Sequence, residues 1–172
     1  QERQQTQMPA KRAIGRAAAQ LVAPGMTVIL DTGTTTLEVA KAIAGIPGLR
    51  VLTSSLAIAS ELFAHGDLEL VLLGGTVSQG SPDLTGPLTE ENLAGFRADL
   101  AFIGADGVNA DGLYADAQAI ARVSQASIAS AGRAILVADS GKFGRTAFVR
   151  FAQWQDVAGV IVDGGLDKTV RQ

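Results

Sequence analysis

Six short apolar runs, none showing polar alternation, constrain this chain most. They are Thr27–Leu30, Arg50–Leu52, Leu68–Leu73, Leu100–Ile103, Ala134–Ala138 and Val160–Val162. A strand with one wet face alternates apolar and polar residues, so unbroken runs predict strands covered on both faces, as in a parallel sheet. Parallel neighbours need crossovers, and helical stretches fall between the runs at Leu37–Ala44 and Leu56–Ala64. A further helix is expected from Met8, with Pro9 in its first turn, to Leu21–Val22, where Pro24-Gly25 stops it. The region 76–97 has no clear strand and holds Pro82, Gly86 and Pro87, so it reads as an excursion with a short helix near Glu90–Gly95. The expected fold is α/β: three layers, a mostly parallel sheet with helices on both faces, Rossmann-like.

Composition narrows the function. At 172 residues the chain suits one domain, and 47% apolar with 18% charged residues excludes disorder. There is no cysteine and a single histidine, so thiolate chemistry is excluded and neither a metal nor a cofactor is expected. That histidine, His65, falls at an expected helix C-terminus, where its charge is favourable. A formal net charge of −3 argues against nucleic acid binding by this chain itself. No apolar run nears the ~20 residues of a membrane span and no signal-peptide pattern opens the chain, so a cytoplasmic location is expected.

Every run ends on glycine, hydroxyl or carboxylate residues, and open α/β sheets bind ligands beyond the carboxyl ends of their strands. The turns supply Asp31, Gly33, Thr34, Thr35 and Thr36; Thr53, Ser54 and Ser55; Gly74 and Gly75; Gly104, Asp106 and Gly107; and Asp139 and Lys142 as candidate ligand-binding residues. The first turn suits a phosphate or another small anion, because glycine admits close backbone approach and a helix start offers free N–H groups. An ordinary helix cap would use the same residues. The turn is neither a Walker loop nor a dinucleotide fingerprint. Lys142 is the only cation in these turns, placed either to meet a ligand anion or simply at the surface; Lys168 falls outside them. Asp31 and Asp106 could accept ligand hydroxyls or cap local turns. No nucleophile elbow appears, and Asp106 and Asp139 are the only candidate bases, without a histidine at motif spacing, so no catalytic residue is assigned.

Read in order, Lys11-Arg12-Ala13-Ile14-Gly15, Leu30-Asp31-Thr32-Gly33-Thr34-Thr35-Thr36, Val51-Leu52-Thr53-Ser54-Ser55, Leu73-Gly74-Gly75, Gly86-Pro87, Phe102-Ile103-Gly104-Ala105-Asp106-Gly107 and Ala138-Asp139-Ser140-Gly141-Lys142-Phe143-Gly144 resemble the C-terminal effector-sensing domain of DeoR-type transcriptional regulators. The chain departs from that pattern at Thr53-Ser54-Ser55, where the family has Thr-Asn-Ser, and at Ala119–Ser124, which lacks the family's lysine. The stretch Thr76–Thr85 also lacks the arginines often found there. The resemblance implies a fold similar to ribose-5-phosphate isomerase, glucosamine-6-phosphate deaminase and the CoA transferases. It further implies a phosphorylated sugar or related small metabolite as effector, a homo-oligomer, and repression through a DNA-binding winged helix-turn-helix that is absent from this chain. Residues 1–10 then form a linker remnant and the start of the first helix, and residues 11–172 the sensor. A sugar-phosphate isomerase or deaminase of the same fold is the alternative.

Overall fold

A computed structural model describes residues 7–65, 67–77 and 80–166; the tract 1–6, within the expected linker, and Lys168 lie outside them. Among the described residues five α-helices form: α1 (Met8–Ala19), α2 (Thr34–Ile43), α3 (Leu56–Phe63), α4 (Pro87–Ala94) and α5 (Gln118–Ala129). The main strands are β1 (Thr27–Leu30), β2 (Arg50–Thr53), β3 (Glu69–Leu72), β6 (Ala98–Ile103), β9 (Ala131–Val137) and β11 (Gly159–Ile161). They make one six-stranded sheet in the order β11-β9-β6-β1-β2-β3, parallel throughout. All six apolar runs are strands of it.

Burial on both faces follows from the pleat. Val28 and Leu30 of β1, Val51 of β2, Leu100 and Phe102 of β6, and Ile135 and Val137 of β9 enter one core with Ile14 of α1, Val39 and Ile43 of α2, and Ile58 and Leu62 of α3. The intervening residues Ile29, Leu52, Ala101, Ile103, Ala134 and Leu136 enter a second core with Leu93 of α4 and Ala121 and Val123 of α5. The central strands thus feed two cores with alternate side chains, which is why Val28–Leu30 and Leu100–Ile103 hold no polar position.

Two helices begin earlier than periodicity suggests. Helix α2 starts at Thr34 rather than Leu37, because Gly33 takes a positive φ of 120° and turns the chain directly into the helix. Helix α4 starts at Pro87, a residue suited to a first helical turn. The excursion also holds a small antiparallel pair, β4 (Thr76–Val77) with β5 (Leu84–Thr85). A second small sheet orders β7 (Gly107–Asn109), β8 (Gly112–Ala115) and β10 (Val149–Ala152) as β10-β8-β7. It covers the α5 face with Val108, Leu113 and Phe151. Among the described residues, no helix is long and apolar enough to cross a membrane.

The strand order fixes where a ligand can enter. From β1 the chain steps outward to β2 and β3, then returns to the other side of β1 with β6 and continues to β9 and β11. The turns after β1 and β6 therefore diverge over opposite faces and leave a crevice between them.

Candidate functional site

A cavity of about 260 Å³ occupies that crevice. Its wall contains Asp31, Gly33, Thr34, Thr35, Thr36, Gly104, Asp106 and Lys142 from the sequence-derived set. It also contains Lys11, which opens the first family-like motif, and Ser81, Asp83 and Ser124; none of the four is among the ligand-binding candidates of the sequence. The turns after β1 and β6 nearly touch: a Cβ on Gly104 would sit 3.1 Å from the Thr32 carbonyl oxygen.

The cationic side begins with α2. No side chain caps its N-terminus, so its first-turn amides and the positive end of its dipole are left to a ligand. The Thr36 hydroxyl is already engaged, donating to the Gly33 carbonyl at 2.8 Å. Above this turn lies Lys11, only 5% exposed, whose Nζ donates to Thr34 Oγ1 at 2.8 Å. No carboxylate pairs with it among the described residues. Its position comes from Gly15, one turn further along α1. A Cβ there would lie 2.5 Å from the Glu38 carbonyl oxygen, so only glycine lets α1 and α2 approach this closely. Lys11 precedes Gly15 by one turn as Thr34 precedes Glu38, and the ammonium is thereby laid over the helix start.

Lys142 closes the cavity's rim. Asp139 Oδ1 accepts from the Gly141 N–H at 3.1 Å and caps the 3-10 turn Ser140–Lys142. The Lys142 Nζ stands 3.8 Å from Asp106 Oδ1, while Asp106 Oδ2 accepts from the Asp116 N–H at 2.9 Å. Both partners are partly exposed, so this pair adds little stability and its cation is available.

The anionic side centres on Asp31, which is 3% exposed. Its Oδ2 accepts from Ser124 Oγ at 2.8 Å, and its Oδ1 is buried without a hydrogen-bond partner. Burial raises its pKa to about 6; Ser124 and the Thr32 and Gly104 amides oppose the rise, and the Asp83 charge adds to it. A carboxyl whose folded pKa lies above its unfolded value binds more protons when folded. Its contribution to stability is therefore full below the unfolded value of 3.8 and is lost as pH rises through about 6. At about 1.36 kcal/mol per unit, the loss at neutral pH is roughly 3 kcal/mol. Asp31→Asn is accordingly expected to raise the melting temperature at pH 7 to 8 and to change it little near pH 4. Equal shifts at both pH values would contradict a charged, buried Asp31.

The remaining sequence candidates hold up the cavity from outside its wall. Thr53 Oγ1 donates to the Leu30 carbonyl at 2.8 Å and accepts from the Ser55 N–H at 3.1 Å, tying β2 to β1. Ser54's carbonyl accepts from the Leu84 N–H at 2.8 Å, and the Leu56 N–H donates to the Pro82 carbonyl at 2.8 Å. This turn therefore docks the segment 81–84, which delivers Ser81 and Asp83. Gly74 donates its N–H to Asn92 Oδ1 and accepts from Thr89 Oγ1, holding α4. Gly75 has φ 150° and would drive a Cβ to 2.2 Å from Thr89 Oγ1. Gly107 lets the chain at Arg145 cross it, with a Cβ there 2.8 Å from that carbonyl oxygen. Asp139 is buried in its capping role, with Oδ2 unpartnered. No group of histidine and carboxylate side chains able to hold a metal occurs among the described residues.

Fold and site together define a parallel α/β domain with a small-ligand cavity at its switch point, cationic at a helix N-terminus and carboxylate-lined elsewhere. Residues 6–164 match the family model described as the DeoR C-terminal sensor domain, and the chain belongs to that family. It is 35% identical over 163 residues to the HTH-type transcriptional regulator GlpR of Haloferax volcanii, covering 94% of this chain and 64% of the relative. It is 31% identical over 173 residues to the glycerol-3-phosphate regulon repressor of Escherichia coli (strain K12), covering 99% and 68%. A putative aga operon transcriptional repressor of Escherichia coli O157:H7 is 31% identical over 157 residues, covering 91% and 58%. The chain thus spans about three fifths of the length of the curated relatives it matches. Among solved structures, ribose 5-phosphate isomerase A of Methanocaldococcus jannaschii superposes with a TM-score of 0.58 at 17% identity, over 80% of this chain and 55% of that one. That likeness concerns the fold alone, and it agrees with the isomerase-like fold expected from the sequence.

Proposed function

We propose that this domain senses a phosphorylated sugar or related small metabolite for a DeoR-type repressor, without catalysing a reaction on it. One observation carries the reading: Lys11 is buried over the uncapped N-terminus of α2 without a carboxylate partner. A buried ammonium beside free helix amides is costly when empty and is satisfied by a phosphate. Gly33 and Thr34 to Thr36 would hold the phosphate with Lys11, Lys142 would meet its charge from the rim, and Asp31 and Asp106 would accept hydroxyls. DNA contact would fall to a winged helix-turn-helix in the full-length regulator.

A thermal-shift panel of phosphorylated sugars tests this. A ligand at about 100 times its Kd stabilises by ~2.7 kcal/mol, which moves the melting temperature of a chain this long by roughly 5–11 °C. Lys142→Ala should weaken the best ligand by about tenfold, the loss of one charge-assisted hydrogen bond. Arg97→Ala, at an exposed cation outside the cavity wall whose guanidinium donates to its neighbour's carbonyl at 3.5 Å, should leave affinity unchanged. No shift with any phosphorylated sugar would sink the proposal. The same samples should scatter light as at least a dimer, in keeping with the exposed Phe63 and Phe148 side chains. The isomerase or deaminase reading is favoured only by Asp31, whose pKa near neutrality suits a general base. Turnover of ribose 5-phosphate or glucosamine 6-phosphate would establish it instead.

A further inference from the structure

Asp83 lies in the cavity wall and has no place in holding a phosphate. The segment 81–84 brings it there through backbone bonds to the turn after β2, with Ser55 and Asp83 facing each other in a single antiparallel bridge. Its side chain is 9% exposed and accepts a hydrogen bond from Ser81 Oγ. Asp31 lines the same cavity with a buried Oδ1 that has no well-aligned hydrogen-bond partner among the described residues.

The proton count decides what can sit there. Ser124 gives its only hydroxyl proton to Asp31, and Ser81 gives its own to Asp83. The two carboxylates and the two serines bonded to them therefore present acceptors to a ligand and no further donors. A ligand group in this part of the cavity must donate, and a negative one would be repelled by both carboxylates.

We propose that Asp83, paired with Asp31, is the specificity filter of the cavity. It admits phosphorylated compounds whose other end carries hydroxyls and rejects those whose other end is a carboxylate. The inference rests on the reading of the cavity as a site for a phosphorylated metabolite.

Two matched pairs of probes test it by titration calorimetry: glycerol 3-phosphate against 3-phosphoglycerate, and sorbitol 6-phosphate against 6-phosphogluconate. Within each pair the phosphate is the same and the far end changes from an alcohol to a carboxylate. Wild-type protein should prefer the alcohol of the pair that fits by at least about tenfold. Asp83→Asn should narrow that preference to about threefold or less, mainly by improving carboxylate binding, because an amide can donate. Equal affinities within a pair on wild type would overturn the filter while leaving the phosphate reading intact. An unchanged preference in a folded Asp83→Asn variant would do the same. Failure of all four probes to bind would overturn the phosphate reading, and the filter with it. The wild-type preference decides the matter even if Asp83→Asn does not fold.

Discussion

Lys11→Met is expected to move stability and affinity in opposite directions. Methionine keeps most of the length and the apolar stem of Lys11, a residue 5% exposed, and removes an ammonium that among the described residues is bonded to a single hydroxyl, Thr34 Oγ1. Relieving that desolvation should stabilise the ligand-free domain by about 1 kcal/mol, or roughly 2–4 °C in melting temperature. Phosphate binding should weaken by about 10- to 100-fold, since a charge-assisted hydrogen bond in a buried site is worth ~1.5–3 kcal/mol. Thermal melts with and without a sugar phosphate read both effects on one sample. A lysine that merely braced α1 against α2 would give the reverse: a less stable variant with unaltered affinity.

The second large effect is expected at Gly15, where helix propensity and packing disagree. In an isolated helix Gly15→Ala would gain up to about 1 kcal/mol. Here the added methyl meets the Glu38 carbonyl oxygen at 2.5 Å, against about 3.3 Å for an ordinary carbon–oxygen contact. A backbone oxygen cannot rotate aside, so α1 must lift by most of an ångström at a cost of roughly 1–3 kcal/mol. Packing wins, and the melting temperature should fall by several degrees. Lys11 rides on the same helix and leaves Thr34, so affinity for the phosphate should drop by about tenfold or more. A more stable Gly15→Ala variant with full affinity would show that the helix contact does not position the lysine.

The strands were legible because burial on both faces forbids polar positions, and Val28, Ile29 and Leu30 or Leu100, Ala101 and Phe102 show this directly. The polar turns at their carboxyl ends were legible for the same reason. Their division of labour was not. Thr53, Ser54 and Ser55 carry the hydroxyls of a ligand turn, yet these residues are tied to β1 and to the segment 81–84 by bonds visible only in three dimensions. Asp83 lies in a proline-containing excursion with no strand pattern, and a single bridge to Ser55 places it. Lys11 precedes the first strand and falls in no polar turn. The available signals are the family-like segment Lys11–Gly15 that it opens and Gly15 itself, because a glycine inside an amphipathic helix marks close backbone approach. The sheet β10-β8-β7 is not legible in the sequence because its strands are three or four residues long and are drawn from distant parts of the chain.

The seat of the phosphate is tested most directly by a crystal structure of this domain with the phosphorylated ligand that stabilises it best. Phosphate oxygens are expected within about 3.0 Å of the amides of Thr34 to Thr36 and of the Lys11 Nζ, drawn away from Thr34 Oγ1. A phosphate held elsewhere, with Lys11 still donating to Thr34, would contradict the assignment.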